Sequence, residues 1–348
     1  MIDRGTPGQE TSWTAAGMLP AAVRCEQDPP LEQLTGLSHA LHAEWAERLL
    51  TETGVDNGYR RCGAVYIARD ASSLEHLDHC EAAWQAGGIH AERLNSQRLK
   101  GMEGSLNASD IQRAVLVPDE SQLRTPRHLR ALIMACERVG VAIHAGMAAD
   151  DFVVRNGVVT AVRAGDQLLS AEQVCVTGGV WSASLVSRLG LQLTTKPIRG
   201  QIALLNATSS GLSRIINEGS RYLTPRPDGR VLVGSTAEDA GFDKRNTAAA
   251  IKDLLEFGIS LAPALRDAAI ERTWAGLRPA TADGLPYLGR LPGLENAYIA
   301  AGHFRQGIHL SPGTAVVMSQ LMRGQQPEID LGPLGPHRHG QPTTTAGQ

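Results

Sequence analysis

Apolar positions change their spacing along the chain, and the changes mark the elements. From Pro29 to Gly54, Leu34, Leu37, Leu41, Trp45 and Leu49 recur three and four residues apart. That predicts one long amphipathic helix stopped by Gly54. A second helix is predicted from Thr125-Pro126, with Thr as cap, Pro at the first helical position, Leu129, Ile133 and Cys136 on one face, and Gly140 as the stop. Val141 to His144 follows as a strand. Phe152 to Arg155, Asn156-Gly157 and Val158 to Val162 have the form of a hairpin whose two turn residues take positive φ. The unbroken apolar run within Gln173 to Thr177 predicts a buried strand leading into Gly178-Gly179.

The middle of the chain reads differently. Gly200 to Leu205, Tyr222-Leu223-Thr224 and Val231-Leu232-Val233, with the turn Pro227-Asp228-Gly229, predict an antiparallel sheet separate from a parallel one. A helix is expected from about Asn246 to Leu261. Asn296 to Ala301 is a strand entering Gly302 to Gly307, and the last long helix is expected to start near Ser311-Pro312. Beyond Gly324 the chain is rich in Pro, Gly, Thr and His, which predicts a fraying tail in which Pro336 to His339 is solvated and not metal-binding. There is no fixed-period repeat. The alternation implies an α/β protein of two interleaved domains.

Composition narrows the function classes. The chain has 348 residues, 42% hydrophobic and 20% charged, with a formal net charge of −3. It has no overall attraction to nucleic acid or anionic lipid, and neither partner is expected. Its apolar stretches fall short of the ~20 residues of a membrane span, and its first twenty residues lack a secretory apolar core. A cytoplasmic location is the expectation. Cys25, Cys62, Cys80, Cys136 and Cys175 form no C-x-x-C pair, which suits small buried side chains in a reducing compartment and neither a zinc site nor a disulfide framework.

Several segments carry candidate chemistry. Met1-Ile2-Asp3-Arg4-Gly5 has the form of the end of a second strand in a dinucleotide fold, where an acid accepts hydrogen bonds from a ribose; an ordinary turn is the competing reading of Asp3. Ala15, Ala16 and Gly17 allow close backbone approach to a cofactor, or close packing of a helix on a sheet. A carboxylate in a dry pocket calls for a planar bidentate donor, and Arg278 in Trp274-Ala275-Gly276-Leu277-Arg278-Pro279 is the candidate, with surface ion pairing as the alternative. Gly302 to His309 precedes a helix, whose first amides and dipole favour negative charge. His303 and His309 have no further His or carboxylate at ligand spacing, so metal binding is not expected.

Four stretches together resemble the glycine oxidases, members of the D-amino-acid oxidase family of flavoproteins, over about residues 1 to 325. They are Gly8 to Leu19; Val176 to Ser182; Trp274 to Pro279 with Asp283-Gly284-Leu285-Pro286; and Gly302 to Ile308. Gln306 departs from the Asn usual in that family. The resemblance implies FAD, held by Asp3, Arg4, Thr11, Ser12, Ala16, Gly17, Met18, Ala149, Gly178, His303, Phe304, Arg305, Gln306, Gly307, Ile308 and His309. It implies that Arg278 and Tyr222 take the substrate carboxylate, with Arg305 beside the substrate. The fold it implies is an FAD-binding Rossmann-like domain (1–38, 120–190 and 276–325), incomplete at its N-terminus. An antiparallel-sheet substrate domain (39–119 and 191–275) interleaves with it, and 326–348 is a flexible tail. The activity it implies is oxidation of glycine or another small amine to the imine, then to 2-oxo acid and ammonia, with O2 reduced to H2O2. The imine would serve thiamine thiazole synthesis. Alternatives are a sarcosine oxidase, a D-amino-acid dehydrogenase, or a non-catalytic remnant. A homo-oligomer is left open.

One expected feature is missing from the sequence. None of the 37 glycines is separated from another by a single residue, so there is no G-x-G. The dinucleotide pattern places a strand and G-x-G-x-x-G about twenty residues before its acid, and here Asp3 is third in the chain. A gene start assigned too late is favoured over a real truncation. The expectation is weak or no FAD binding by these 348 residues and tight binding by an upstream-extended chain.

Overall fold

The structure is a computed structural model, and it describes residues 1–208 and 210–339. Its largest unit is an eight-stranded sheet. Across it run Ala269–Ala280, Lys196–Asn206, Arg230–Gly234, Arg221–Pro225, Ile215–Glu218, Ala64–Ala68, Arg113–Val117 and Glu92–Arg93. Neighbours are antiparallel except Ile215–Glu218 beside Ala64–Ala68, which is parallel. The period of two along each strand gives the sheet two different faces. Val65, Ile67, Leu205, Leu223, Val231 and Val233 point to one side, where Leu254, Phe257 and Leu261 of the helix Ala248–Leu261 cover them. Thr247 caps that helix, its hydroxyl accepting from the Ala250 amide. On the opposite face Ile202, Leu204, Tyr222, Leu232 and Trp274 pack with Ala16 and Met18.

The remaining strands are short. Ile2–Asp3 pairs in parallel with His144–Ala145. Val174–Val176 pairs in parallel with Ala297–Ala301, which Tyr287–Arg290 joins from the other side in antiparallel sense. The strand predicted from Val141 thus shrinks to His144–Ala145, and Val141 is exposed. The hairpin forms as its sequence predicts: Asn156 and Gly157 take φ of 50° and 78° between Asp151–Arg155 and Val158–Ala164.

Two helices pack together beside these strands, Pro30–Thr53 and Gly307–Met322. The first ends at Gly54 in the left-handed conformation, its amide bonding Leu50 O at 2.8 Å. The second begins at Gly307, a turn earlier than Ser311-Pro312 predicts, and carries Pro312 in its interior. Proline there leaves the Ile308 carbonyl without its ladder donor, and the Ser311 hydroxyl donates to it at 2.8 Å. The first helix supplies the rest. Ser38 Oγ accepts from the Gly313 amide at 3.1 Å and donates to Leu310 O at 3.2 Å, and His42 Nε2 bonds His309 O at 2.9 Å. A Cβ on Gly313 would lie 2.4 Å from Ser38 Oγ, so glycine is what lets the helices approach there.

Two other expectations differ. Thr125 starts the helix Thr125–Arg138 but does not cap it; its hydroxyl donates to Trp13 O and Ala15 O, at 3.1 and 2.9 Å. Residues 326–339 do not trail away as composition suggests. Ile329 and Leu334 are buried in the core between the two helices, and Arg338 bonds Asp283 and the Leu285 carbonyl. The remainder of the expected tail, 340–348, lies outside the described residues. Among the described residues no helix is long and apolar enough to cross a membrane, and no cluster of His, Cys, Asp or Glu is suited to a metal.

Candidate active site

A cavity of about 390 Å³ opens on the sheet face that carries Tyr222. Register places Ile202, Gly234, Tyr222, Asn217 and Tyr66 in one row across five successive strands. All but Gly234 line the cavity. Gly200 and Gly276 face each other across the neighbouring register and also line it. These glycines keep the floor low. A Cβ on Gly234 would meet the Tyr222 ring at 2.5 Å, one on Gly276 would meet Thr14 Oγ1 at 2.0 Å, and one on Gly200 would meet the Arg278 guanidinium at 2.2 Å.

Arg278 is held open toward the cavity. Its Nη1 donates to Thr236 O at 2.9 Å and its Nη2 to Ser235 Oγ at 2.8 Å. Among the described residues no carboxylate lies within ion-pair distance of it, and burial lowers its pKa from the usual arginine range. Tyr222, 7% exposed, is raised above the usual phenol range by burial, more than the Arg278 charge lowers it. It therefore stays a hydrogen-bond donor at neutral pH. Arg305 is exposed and lies at the mouth, bordering both this cavity and an adjoining surface hollow.

The opposite wall is the segment from Thr11 to Met18 and the loop from Gly302 to Ile308. Its first part has no long regular element, so side chains from elsewhere fix it. Thr11 Oγ1 donates to Leu277 O at 2.6 Å and Trp274 Nε1 to Thr14 O at 3.0 Å. Arg226, 8% exposed, donates to Ala16 O at 2.5 Å, Leu123 O at 3.0 Å and Gln122 Oε1 at 2.5 Å; burial pulls it down to about 10. Gly17 has φ of 72°, and a Cβ there would meet Leu123 O at 2.2 Å. In the loop, burial holds His303 down at about 4, so it is neutral, with Nε2 3.1 Å from Thr314 Oγ1. The helix ladder begins with Leu310 N to Gln306 O at 2.8 Å, and the amides of Gly307, Ile308 and His309 precede it.

Of the residues proposed from sequence, Thr11, Ser12, Ala16, Gly17, Met18, Tyr222, Arg278, His303, Phe304, Arg305, Gly307 and Ile308 line the cavity. Asp3, Arg4, Ala149, Gly178, Gln306 and His309 do not. Asp3 Oδ1 accepts from the Gly5 amide at 2.8 Å, and the Arg4 guanidinium lies 3.7 Å from the Trp181 ring centroid. Gly178 is flanked by Thr177 and Gly179, which do line the cavity. His309 is buried behind the wall against His39 and His42. Gly200, Ser235, Arg226, Glu120, Tyr66 and Asn217 line or support the cavity without any motif or spacing that marks them as site residues.

A wall of small residues faced by free helix-start amides, opposite an arginine without an anion, fits a flat cofactor ring that gains negative charge on reduction. The arrangement is that of a flavoenzyme. A sequence profile described as FAD dependent oxidoreductase (DAO) matches residues 1–321. The chain belongs to this family, its cofactor is FAD, and its fold joins an FAD-binding Rossmann-like unit to an antiparallel-sheet unit. It is 32% identical to a glycine oxidase of Pseudomonas putida, over 97% of this chain and 91% of that protein. It is 32% identical to a bifunctional protein ThiO/ThiG of Synechocystis, over 95% of this chain and 48% of that protein. The crystal structure of glycine oxidase from Geobacillus kaustophilus superimposes with a TM-score of 0.91 at 30% identity, covering 98% of this chain and 92% of that one.

Proposed function

We propose that the chain oxidises glycine or a similarly small amino acid to the imine, which water converts to the 2-oxo acid and ammonia, while O2 becomes H2O2. The observation that carries this reading is Arg278, a part-buried guanidinium facing the cavity with two protein acceptors and, among the described residues, no carboxylate within ion-pair distance. An uncompensated cation there is stabilised by an anionic guest. A substrate carboxylate meets that need, with the Tyr222 hydroxyl as a second donor.

Bound FAD would supply the two-electron redox chemistry between the amine-bearing carbon of the substrate and O2. Thr11 to Met18 and Gly302 to Ile308 are the residues suited to hold its ring. Arg278 and Tyr222 orient the substrate, and the Gly307, Ile308 and His309 amides offset negative charge on that side. Neutral His303 adds no positive charge. No side-chain base is needed when the amine binds neutral.

The likeness to ThiO/ThiG proteins supports use of the imine in thiamine thiazole synthesis. An amine panel with peroxide detection tests the reading. Flavin reduction by glycine with stoichiometric H2O2 is expected; reduction with little peroxide would indicate a dehydrogenase, and no reduction by any amino acid would overturn the proposal.

A further inference from the structure

The cavity has a second polar end that the proposed reaction leaves unused. Glu120 lines it although only 2% exposed, and the Tyr66 hydroxyl donates to Glu120 Oε1 at 2.5 Å. Asn217, on the strand between Tyr66 and Tyr222, completes the group. We propose that Glu120, Tyr66 and Asn217 form a subsite for a terminal ammonium group, so that amino acids with an amino group at the end of a short side chain are substrates alongside glycine-sized ones. This rests on the oxidase reading above and names a further substrate class for the same cavity.

The first argument is the absence of compensation. Among the described residues no Lys, Arg or His lies within ion-pair distance of the Glu120 carboxyl. Burial pushes it up to about 7, and only the Tyr66 hydrogen bond opposes that. A buried carboxyl without a cation costs stability unless something in its surroundings is served by it. The loop does not need the side chain, because the Cys62 and Gly63 amides bond the backbone carbonyl of Glu120, at 3.1 and 2.9 Å.

The second argument is placement. Tyr222 and Tyr66 are in register two strands apart, which puts about 10 Å between their backbones. A glycine held at the Tyr222 hydroxyl does not span that separation, and a longer side chain is needed to approach Glu120. Met18 and Ile202 give the cavity apolar wall. A guest with a carboxylate at one end, methylenes between and an ammonium at the other matches a cavity with Arg278 and Glu120 in its wall.

The test uses the flavin-loaded full chain with glycine, racemic norleucine and racemic ornithine, the last two being near-isosteric except for the terminal amine. The expected wild-type kcat/KM for ornithine exceeds that for norleucine at least about tenfold. In Glu120→Gln the ornithine-to-norleucine ratio falls toward one and the rise in Tm caused by ornithine disappears. Wild-type preference for norleucine, or an equal loss for glycine and ornithine in the variant, would overturn the subsite. If Glu120→Gln does not fold, Tyr66→Phe serves, with an expected loss of at least about threefold in the same ratio and an unchanged ratio as the contrary result. If no amino acid is oxidised but an ornithine-specific Tm rise is abolished in Glu120→Gln, the oxidase reading fails and the subsite stands.

Discussion

The guanidinium of Arg278 lies over the α-carbon of Gly200, in space that a side chain at that position would fill: a Cβ there would be 2.2 Å from Nη2 and 2.4 Å from Cζ. Gly200 faces Gly276 in the adjacent strand, so the arginine crosses a bare patch of sheet to reach Ser235 and Thr236. The position of this cavity cation is therefore set by the absence of a methyl group. Gly200→Ala should displace it and raise KM for glycine roughly 10- to 100-fold, with the circular dichroism spectrum and flavin content retained. Unchanged KM in a folded variant would show that the guanidinium position is not set this way.

Arg226 links the flavin-side wall to the sheet, and among the described residues no carboxylate lies within ion-pair distance of it. Arg226→Met leaves the Ala16 and Leu123 carbonyls and the Gln122 amide oxygen without this donor. A loss of roughly 2–4 kcal/mol in urea unfolding is expected, together with weaker FAD binding, because the Thr11 to Met18 segment loses an anchor. Full stability with full flavin content in the variant would contradict this.

Buried histidines set the acid limit of the fold. Burial lowers His42, His128 and His303 to about 4 and His309 to about 3, from 6.5. Below pH 6.5 the unfolded chain binds these protons and the folded chain does not, so their contribution is present above 6.5 and is lost as pH falls toward 4. Glu120, raised from 4.5 to about 7, has the opposite sign, since the folded state keeps a proton that the unfolded state releases. With His39 also lowered by burial, the histidines outnumber the one carboxyl, so the folded chain binds fewer protons than the unfolded one and stability falls as pH drops through this range. Denaturant melts at pH 7.5 and 5.0 should differ by several kcal/mol, and equal stabilities would refute the assignment.

How far the sequence reveals this depends on whether the determining contacts are local. The long helix, its Gly54 stop and the Asn156-Gly157 hairpin follow from spacing and turn chemistry within a few residues. The start of the last helix does not, because Pro312 is accommodated by Ser38 and His42 from a helix some 270 residues earlier. Two apolar side chains, Ile329 and Leu334, outweigh a tail-like composition once the core between the two helices is there to receive them. Motif resemblance drew attention to Arg278, Tyr222 and the 302–308 loop, and the structure brings them to one cavity. Glu120 and Arg226 gave no sign, since a charged residue in a short loop reads as solvated until the assembled sheet buries it.

The most direct measurement is the KM for glycine in a peroxide-coupled assay, compared between the wild-type chain and Arg278→Ala, with flavin content recorded for both. The account predicts H2O2 formation equal to glycine consumed in the wild type, and a KM raised roughly 100-fold in Arg278→Ala with flavin retained. An unchanged KM and turnover in that variant, or no glycine-dependent reduction of the bound flavin in the wild type, would contradict it.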